Sequence, residues 1–450
     1  MSLYTRAVSG ILFPLHERLK RHSTVPVRRS LEHSQWLPTE VLAARQLDDL
    51  RAFLQAVGSE VPYYRALFAK QGFQPRELES LDDLRRLPLL DKATIRSHSE
   101  SMVREGARHL VQSNTGGSSG EPLVFFLGRE RVSHDVAAKW RATRWWDVDI
   151  GDPEIVLWGS PIELGAQDRV RLLRDRLLRT ELLPAFDMSV HSMDRFLARI
   201  RARRPRMLFG YPSSLALLAG HARQRGIAMD DLGVRVAFVT SESLYPHQRE
   251  AIEGCFGCPV ANGYGGRDAG FVAHACPAGS LHLTAEDIVV ECIGADGQPV
   301  QSGERGEIVI THLRSADFPF LRYRTGDVGR LADAPCRCGR GLAVLEAIEG
   351  RSTDFGVAAD GTVVHGLALI YILRAIPSVG EFRIVQESLD TTLVQVVPLE
   401  GFDNTAENLI IEGVRERLGR DVMVSVERCS QLPREASGKF RYVQSRVPVQ

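Results

Sequence analysis

From about residue 190 onward, short apolar runs alternate with amphipathic helical stretches, and this alternation constrains the fold more than any other feature of the chain. Phe196, Leu197 and Ile200 share one face of a helix expected to start near Ser192. The run 207–209 is too short for a helix. A helix is expected over 213–220, an apolar run follows at 234–239, then a helical stretch at 246–252 and a further run at 260–264. Short apolar runs separated by helices predict a largely parallel sheet with covering helices. In such sheets ligands sit beyond the carboxyl ends of the strands, so the loops after these runs are where function is expected.

The flanking regions differ. Val41, Leu42, Leu47, Leu50, Phe53, Leu54 and Val57 recur mainly at spacings of three and four, an amphipathic helix. Pro88 ends the next helical segment, and Asp91 can cap another. Beyond 280 the signal becomes strand-rich, at 288–292, 307–312 and 328–331. After Gly350 it changes again: strands at 382–386, 392–397 and 422–426, and a helix over 404–418 with Asn404 as its cap. At 450 residues the chain exceeds one hydrophobic core. The expectation is an α/β protein: a large N-terminal domain, 1–350, of mostly parallel sheets with covering helices, and a small α+β C-terminal domain, 351–450.

Composition narrows the function classes. Lys plus Arg equals Asp plus Glu, 56 against 56, so no global field draws the chain to nucleic acid or an acidic membrane. Nucleic-acid binding is not expected. No stretch reaches the roughly 18 apolar residues that span a bilayer, and no secretory leader is expected, because the apolar run ending at Leu15 leads into basic residues. The first thirty residues hold Arg6, Arg18, Lys20, Arg21, Arg28 and Arg29 against Glu17, which suits a solvated helix or weak contact with a membrane surface. Seven cysteines, an odd number, point to a reducing cytoplasm. Six of them, Cys255, Cys258, Cys276, Cys292, Cys336 and Cys338, crowd into the middle of the chain.

The first chemical signal is Thr115-Gly116-Gly117-Ser118-Ser119-Gly120-Glu121-Pro122. Its glycines let the backbone curl and its hydroxyls supply donors, so consecutive amides can cradle phosphate oxygens. No Gly-Lys-Ser/Thr closes it, so it is not a P-loop of the usual kind. Four further segments follow in order: Asn262-Gly263-Tyr264-Gly265-Gly266-Arg267-Asp268, Tyr323-Arg324-Thr325-Gly326-Asp327, Gly350-Arg351 and Ser437-Gly438-Lys439.

Together these segments resemble the adenylate-forming superfamily of acyl-CoA ligases, and within it the phenylacetate-CoA ligase and CapK-like branch. The resemblance extends to Val61-Pro62-Tyr63-Tyr64, to the stretch from Leu87 to Lys92 and to Gly339-Arg340, and covers roughly residues 45 to 442. It implies ATP-dependent activation of a carboxylic acid as its acyl-adenylate, with pyrophosphate released. The acyl group then passes to a thiol, expected to be coenzyme A. Both reactants of the first step are anions, so the work is charge neutralisation and alignment.

The resemblance assigns Thr115, Gly116, Gly117, Ser118, Ser119 and Gly120 to the β- and γ-phosphates, and Tyr264 and Gly265, with Ser241 and Glu242 on the preceding loop, to the nucleotide pocket. Asp327 would accept from the ribose hydroxyls, Arg351 would contact ribose or phosphate, and Asp268 would hold Mg²⁺. Lys439 would reach the α-phosphate and carboxylate, from a C-terminal domain on a hinge that rotates between half-reactions. The acid pocket is expected near Trp140, Gly210-Tyr211-Pro212 and residues 237–241. Several positions depart from the pattern: Gly116 replaces a hydroxyl residue, Glu121 a common lysine, Arg267 the usual threonine, Asp268 the usual glutamate, and Thr353 a hinge Asp or Lys.

Cys336-Arg337-Cys338-Gly339 is a tight two-thiolate turn. The branch resemblance implies a zinc site that adds a Cys and a His six residues apart, here Cys276 and His282, giving closed, structural Cys₃His ligation. Cys255 and Cys258 are the rival pair, and reduced thiols without metal remain the alternative. Two other functions stay open: an adenylating enzyme with a non-CoA acceptor in capsule or exopolysaccharide synthesis, and a non-catalytic nucleotide-binding or zinc-stabilised scaffold. A homodimer is compatible with all of them.

Overall fold

The computed structural model describes residues 2–115, 123–158, 169–185, 188, 190–351, 355–360, 363–432 and 441–447. Chain contacts divide it into two compact units. The first takes the chain up to Thr325 together with Gly329–Ile348, and the second takes Gly326–Val328 and most of the chain from Glu349 onward.

A short hairpin, β1 (Val111–Asn114) with β2 (Val124–Leu127), precedes the main sheet of the first unit. That sheet begins with β3 (Glu154–Trp158), β4 (Thr180–Pro184), β5 (Met207–Gly210), β6 (Val236–Thr240) and β7 (Val260–Gly266), which pair in parallel. The helices Val190–Arg203, Pro212–Gln224 and Pro246–Phe256 return the chain between them. Every residue of β5 is buried, as are four of the five in β6, as expected of parallel strands covered on both faces. Their core gathers Leu157, Leu197, Leu208, Leu215, Val239 and Phe256. The helix expected near Ser192 already runs at Val190, so Ser192 lies inside its first turn and does not cap it.

The chain then turns antiparallel: β8 (Gly270–Ala275), β9 (Leu281–Leu283), β10 (Ile288–Ile293), β11 (Gly306–His312), β12 (Tyr323–Leu331) and β13 (Val344–Arg351) complete an eleven-stranded sheet. Its spatial order is β10-β11-β12-β13-β9-β8-β7-β6-β5-β3-β4. The helix Thr39–Glu60 buries Leu42, Leu50, Phe53, Leu54 and Val57 in the core that covers this half, as its periodicity predicts. Val41 is exposed, off that stripe. Asp91 caps the helix Lys92–His98 by accepting from the Thr94 amide at 2.7 Å.

In the second unit β14 (Phe355–Val357) and β15 (Val363–His365) form a hairpin, and β16 (Val379–Ser388), β17 (Thr391–Pro398), β18 (Met423–Arg428) and β19 (Val443–Ser445) form a sheet of order β18-β17-β16-β19. The helix Asn404–Leu418 turns Ala406, Ile410, Val414 and Leu418 inward. Its cap is Asp403, whose carboxylate accepts from the Ala406 amide. Asn404, the expected cap, is the first helical residue, and a formal charge one position earlier binds the exposed amides more strongly. No described helix is long and apolar enough to cross a membrane.

Candidate nucleotide and metal sites

The register of β6 against β7, with Thr240 opposite Gly263, brings two of the expected loops side by side at the carboxyl end of the parallel strands. Ser241 and Glu242 leave β6, and Tyr264 and Gly265 lie on β7 next to them. Ser241 has φ +72, a left-handed conformation that costs a serine about 1 kcal/mol or more and that clusters at binding sites. Glu242 accepts from the Ser213 amide in the first turn of the helix Pro212–Gln224, where an anion is favoured. One strand over, the Trp158 indole stacks on Tyr211 with centroids 4.2 Å apart. Trp140, expected near the acid pocket, is instead buried against Phe13 and donates its indole N–H to Asp149.

Between β7 and β8 the backbone kinks. The register shifts after Tyr264, and a Cβ on Gly265 would lie 2.0 Å from the Gly270 carbonyl, so only glycine fits. The Tyr264 hydroxyl reaches Thr325 Oγ1 at 3.3 Å, and Thr325 donates to the Ile308 carbonyl, fixing the half-buried ring. Asp268, in the turn, accepts from Tyr323 Oη at 2.7 Å on one carboxylate oxygen and from the Ala269 amide at 3.0 Å on the other. Each oxygen keeps a lone pair, so acceptor capacity for a cation remains. The Asp268 carbonyl accepts from Arg131 Nη2 at 3.0 Å.

Arg131 belongs to a buried polar chain. Its Nε donates to Asp135 at 2.9 Å, and the other Asp135 oxygen lies 3.7 Å from His312 Nε2. Gly270 packs on all three side chains, with 2.9 Å from a hypothetical Cβ to each. Burial, helped by the Arg131 charge, lowers the His312 pKa to about 4, keeping the imidazole neutral. Burial works against the charge on neighbouring Asp287, but the hydrogen bond from His134 and the His134 and Arg314 charges outweigh it and bring its pKa to about 2.

Thr115 closes the neck of the β1–β2 hairpin: its amide donates to the Leu123 carbonyl and its hydroxyl accepts from the Leu123 amide at 2.9 Å. Gly116, Gly117, Ser118, Ser119, Gly120 and Glu121 lie outside the described residues, as do Thr353 and Lys439. Asp327 lies half-buried in β12, on the stretch assigned to the second unit. Arg351 is the last residue of β13. The Thr325-Gly326-Asp327 segment runs within β12, with Gly326 at φ +77.

The sequence names Tyr323 only as the first residue of a motif, with no role, and does not point to Arg131. Tyr323 opens the motif that ends at Asp327, and Arg131 pairs with Asp135 at the i,i+4 spacing, signals that show only when a partner is known.

The cysteine cluster is drawn together by strand order. Because β9 pairs with both β8 and β13, His282 sits between Cys276, just past β8, and the loop before β13 that carries Cys336 and Cys338. Their ligand atoms all lie within 4.8 Å of one another. Cys276 Sγ is 3.7 Å from Cys336 Sγ, and Cys338 Sγ is 3.2 Å from His282 Nε2. Tetrahedral zinc with sulfur at about 2.3 Å places two sulfurs about 3.8 Å apart, so the set fits that ion. His282 Nδ1 lies 3.2 Å from the Leu342 carbonyl, which points Nε2 at the thiols, and burial lowers its pKa to about 4, leaving a neutral ligand. Burial raises the Cys276 thiol to about 11. At Cys336 burial is outweighed by hydrogen bonds from Ser280 and the Cys338 amide, which favour the thiolate. Among the described residues this is the group of side chains placed so that it could hold a metal ion, and it leaves out Cys255 and Cys258, which pack in or against the apolar core of the parallel half.

Comparison with known proteins agrees with this architecture. The CapK C-terminal domain family matches residues 357–446. A phenylacetate-coenzyme A ligase of Thermus thermophilus is 26% identical over 446 residues, covering 90% of this chain and 97% of that protein. Protein CapK of Staphylococcus aureus is 21% identical, covering 97% and 95%. Among solved structures, 2-hydroxyisobutyryl-CoA ligase in its postadenylation state, in complex with R3-HIB-AMP, superposes with TM-score 0.74 at 22% identity over 92% of this chain and 91% of that one. ATP-bound MatB from Rhodopseudomonas palustris gives TM-score 0.53 at 19% identity over 75% and 68%. Relatives named phenylacetate-coenzyme A ligase and CapK thus span the chain almost end to end, and its fold is that of the adenylate-forming CoA ligases.

Proposed function

We propose that the protein is an AMP-forming acid–thiol ligase that activates a carboxylic acid with ATP and transfers the acyl group to coenzyme A. The observation that carries this reading is the pairing of β6 with β7, which sets Ser241 and Glu242, just past β6, beside Tyr264 on β7, with Asp268 in the turn that follows, at the carboxyl ends of parallel strands, where such sheets bind ligands. Tyr264 would stack on adenine. Asp268, held by Tyr323 and backed by Arg131, would hold Mg²⁺, which when bound supplies positive charge against the phosphates. Asp327 and Arg351 are assigned to the ribose and phosphates, the Thr115–Gly120 loop to the β- and γ-phosphates, and Lys439 to the charge that develops at the α-phosphate and carboxylate.

The test is acid-dependent exchange of pyrophosphate into ATP with a panel of aryl and aliphatic acids. Exchange with at least one acid supports the reading, and exchange with none assigns the chain to a scaffold role. Lys439→Ala should abolish exchange while transfer from preformed acyl-adenylate continues; equal loss in both assays overturns that division of labour.

A second reading, which the branch resemblance implies, is an adenylating enzyme whose acceptor is an amine or sugar instead of a thiol. Adding coenzyme A after adenylation and assaying for the thioester separates the two.

The Cys276, His282, Cys336 and Cys338 set would hold a closed structural zinc, tying the β8–β9 turn to the β12–β13 loop. Metal analysis of purified protein should find one zinc per chain, absent in Cys336→Ser/Cys338→Ser, and removing it with a chelator should lower Tm. Thiolate ligands suit a reducing compartment, and the cytoplasm is the expected location.

A further inference from the structure

The N-terminal segment leaves an apolar row in solvent that neither the core nor the proposed active site uses. It runs as a helix Leu3–Ala7, a π turn Val8–Leu12 and a helix Phe13–Leu19. Thr5, Val8, Phe13 and Glu17 face inward: Thr5 donates to Asp152, Val8 packs on Gly151, and Phe13 meets Trp140 edge-on. Opposite them Leu3, Ile11, Leu15 and Leu19 are 83, 70, 53 and 77% exposed. In a plain α-helix a row at multiples of four drifts around the axis, but the π turn takes up an extra residue and keeps this row on one side.

A second helix, Arg169–Leu178, lies against the first. The Tyr4 hydroxyl donates to the Leu177 carbonyl at 2.7 Å, and the Arg179 guanidinium sits 5.3 Å above the Tyr4 ring. It leaves Leu172, Leu173 and Leu177 exposed as well.

We infer that these two helices dock the protein on a bilayer surface rich in anionic phospholipid. The charges around the leucines select that partner. Arg6, Arg18, Lys20 and Arg21 are exposed along the first helix, and Arg176 on the second. Glu17, the single acid among residues 2–21, is turned inward, where it accepts from Thr24 and meets His22. Exposed leucines flanked by cations match the acyl–headgroup boundary, where apolar side chains insert and cations meet phosphates. A second copy of the same face would oppose cation to cation. The inference concerns binding alone and does not depend on the adenylation chemistry.

The test is flotation of full-length protein with vesicles of phosphatidylcholine alone and with vesicles enriched in phosphatidylglycerol. Co-flotation is expected with the anionic vesicles, falling about tenfold at high salt. Ile11→Ser/Leu15→Ser/Leu19→Ser and, separately, Arg18→Glu/Lys20→Glu should each weaken partitioning about tenfold or more with Tm unchanged. Leu409→Ser, at an exposed site on the second unit, should not. Protein that stays unbound with anionic vesicles overturns the inference. So does light scattering that shows a dimer which the leucine-row variant converts to monomer, since the face then belongs to a second copy.

Discussion

In the parallel half of the main sheet, β5 and β6 are continuous apolar strands enclosed by helices, and side chains such as Leu208, Val239 and Phe256 are sealed off from water. In the antiparallel half the interior is also charged: Arg131 with Asp135, Asp287 with His134 and Arg314, and Arg322 with Glu291 at 2.8 Å, besides the Cys–His cluster. Both halves share one hydrogen-bonded sheet. The parallel half draws most of its stability from area removed from water, which is insensitive to pH, with the His221–Asp194 pair at 2.8 Å as its charged exception. The antiparallel half also relies on groups whose charge state must be kept, and one of them, Arg131, braces the turn that carries Asp268. The proposed chemistry therefore sits at the seam, on β7 and the turn into β8.

Four experiments test that contrast. The largest effect is expected at the seam: Asp268→Ala should lower acid-dependent pyrophosphate exchange by about 10² to 10³ while Tm holds, and unaffected exchange would move the cation site elsewhere. In the parallel half Leu208→Ala should cost about 3 kcal/mol of unfolding free energy in denaturant titrations, by the same amount at pH 5 and pH 8. A strongly pH-dependent loss would erase the distinction between the halves.

In the antiparallel half the dependence runs on His312. Its folded pKa of about 4 lies below the ordinary histidine value of 6.5, so between those values the unfolded chain binds the extra proton. That contribution is fully present above about pH 6.5 and is lost as pH falls toward 4, by about 3 kcal/mol at most. His312→Gln should flatten the Tm profile across this window, and an unchanged profile would show that other groups set it. The smallest effect is expected from Tyr323→Phe, which removes one hydrogen bond to Asp268: exchange should fall about fivefold and need more Mg²⁺, with kcat affected less than the Mg²⁺ requirement. A change in Tm without a change in Mg²⁺ requirement would make Tyr323 purely structural.

Much of the fold was legible because it is written locally. The stripe over Thr39–Glu60, the apolar runs of β5, β6 and β7 and the helices between them follow from periodicities of a few residues, which the backbone geometry of each element imposes. Boundaries slipped by a residue or two where caps compete, as at Asp403 and Asn404. The site was legible where a motif names its own residues, as with Tyr264 and Asp268, and illegible where a partner comes from afar. Arg131 lies 137 positions from Asp268, Tyr323 lies 55 from it, and Trp158 meets Tyr211 from the next strand.

The cysteines draw the line most clearly. By itself the sequence determined the alternating strands and helices from about residue 190 to 264, the helix Thr39–Glu60 and the two-thiolate turn at Cys336 and Cys338, because propensity and spacing act over one element at a time. The branch resemblance puts forward Cys276 and His282, with Cys255 and Cys258 as rivals, and the tertiary structure decided between them by bringing the first pair to that turn. The choice depends on β9 inserting between β8 and β13, and strand order is set by how whole faces bury against one another, which no local periodicity records.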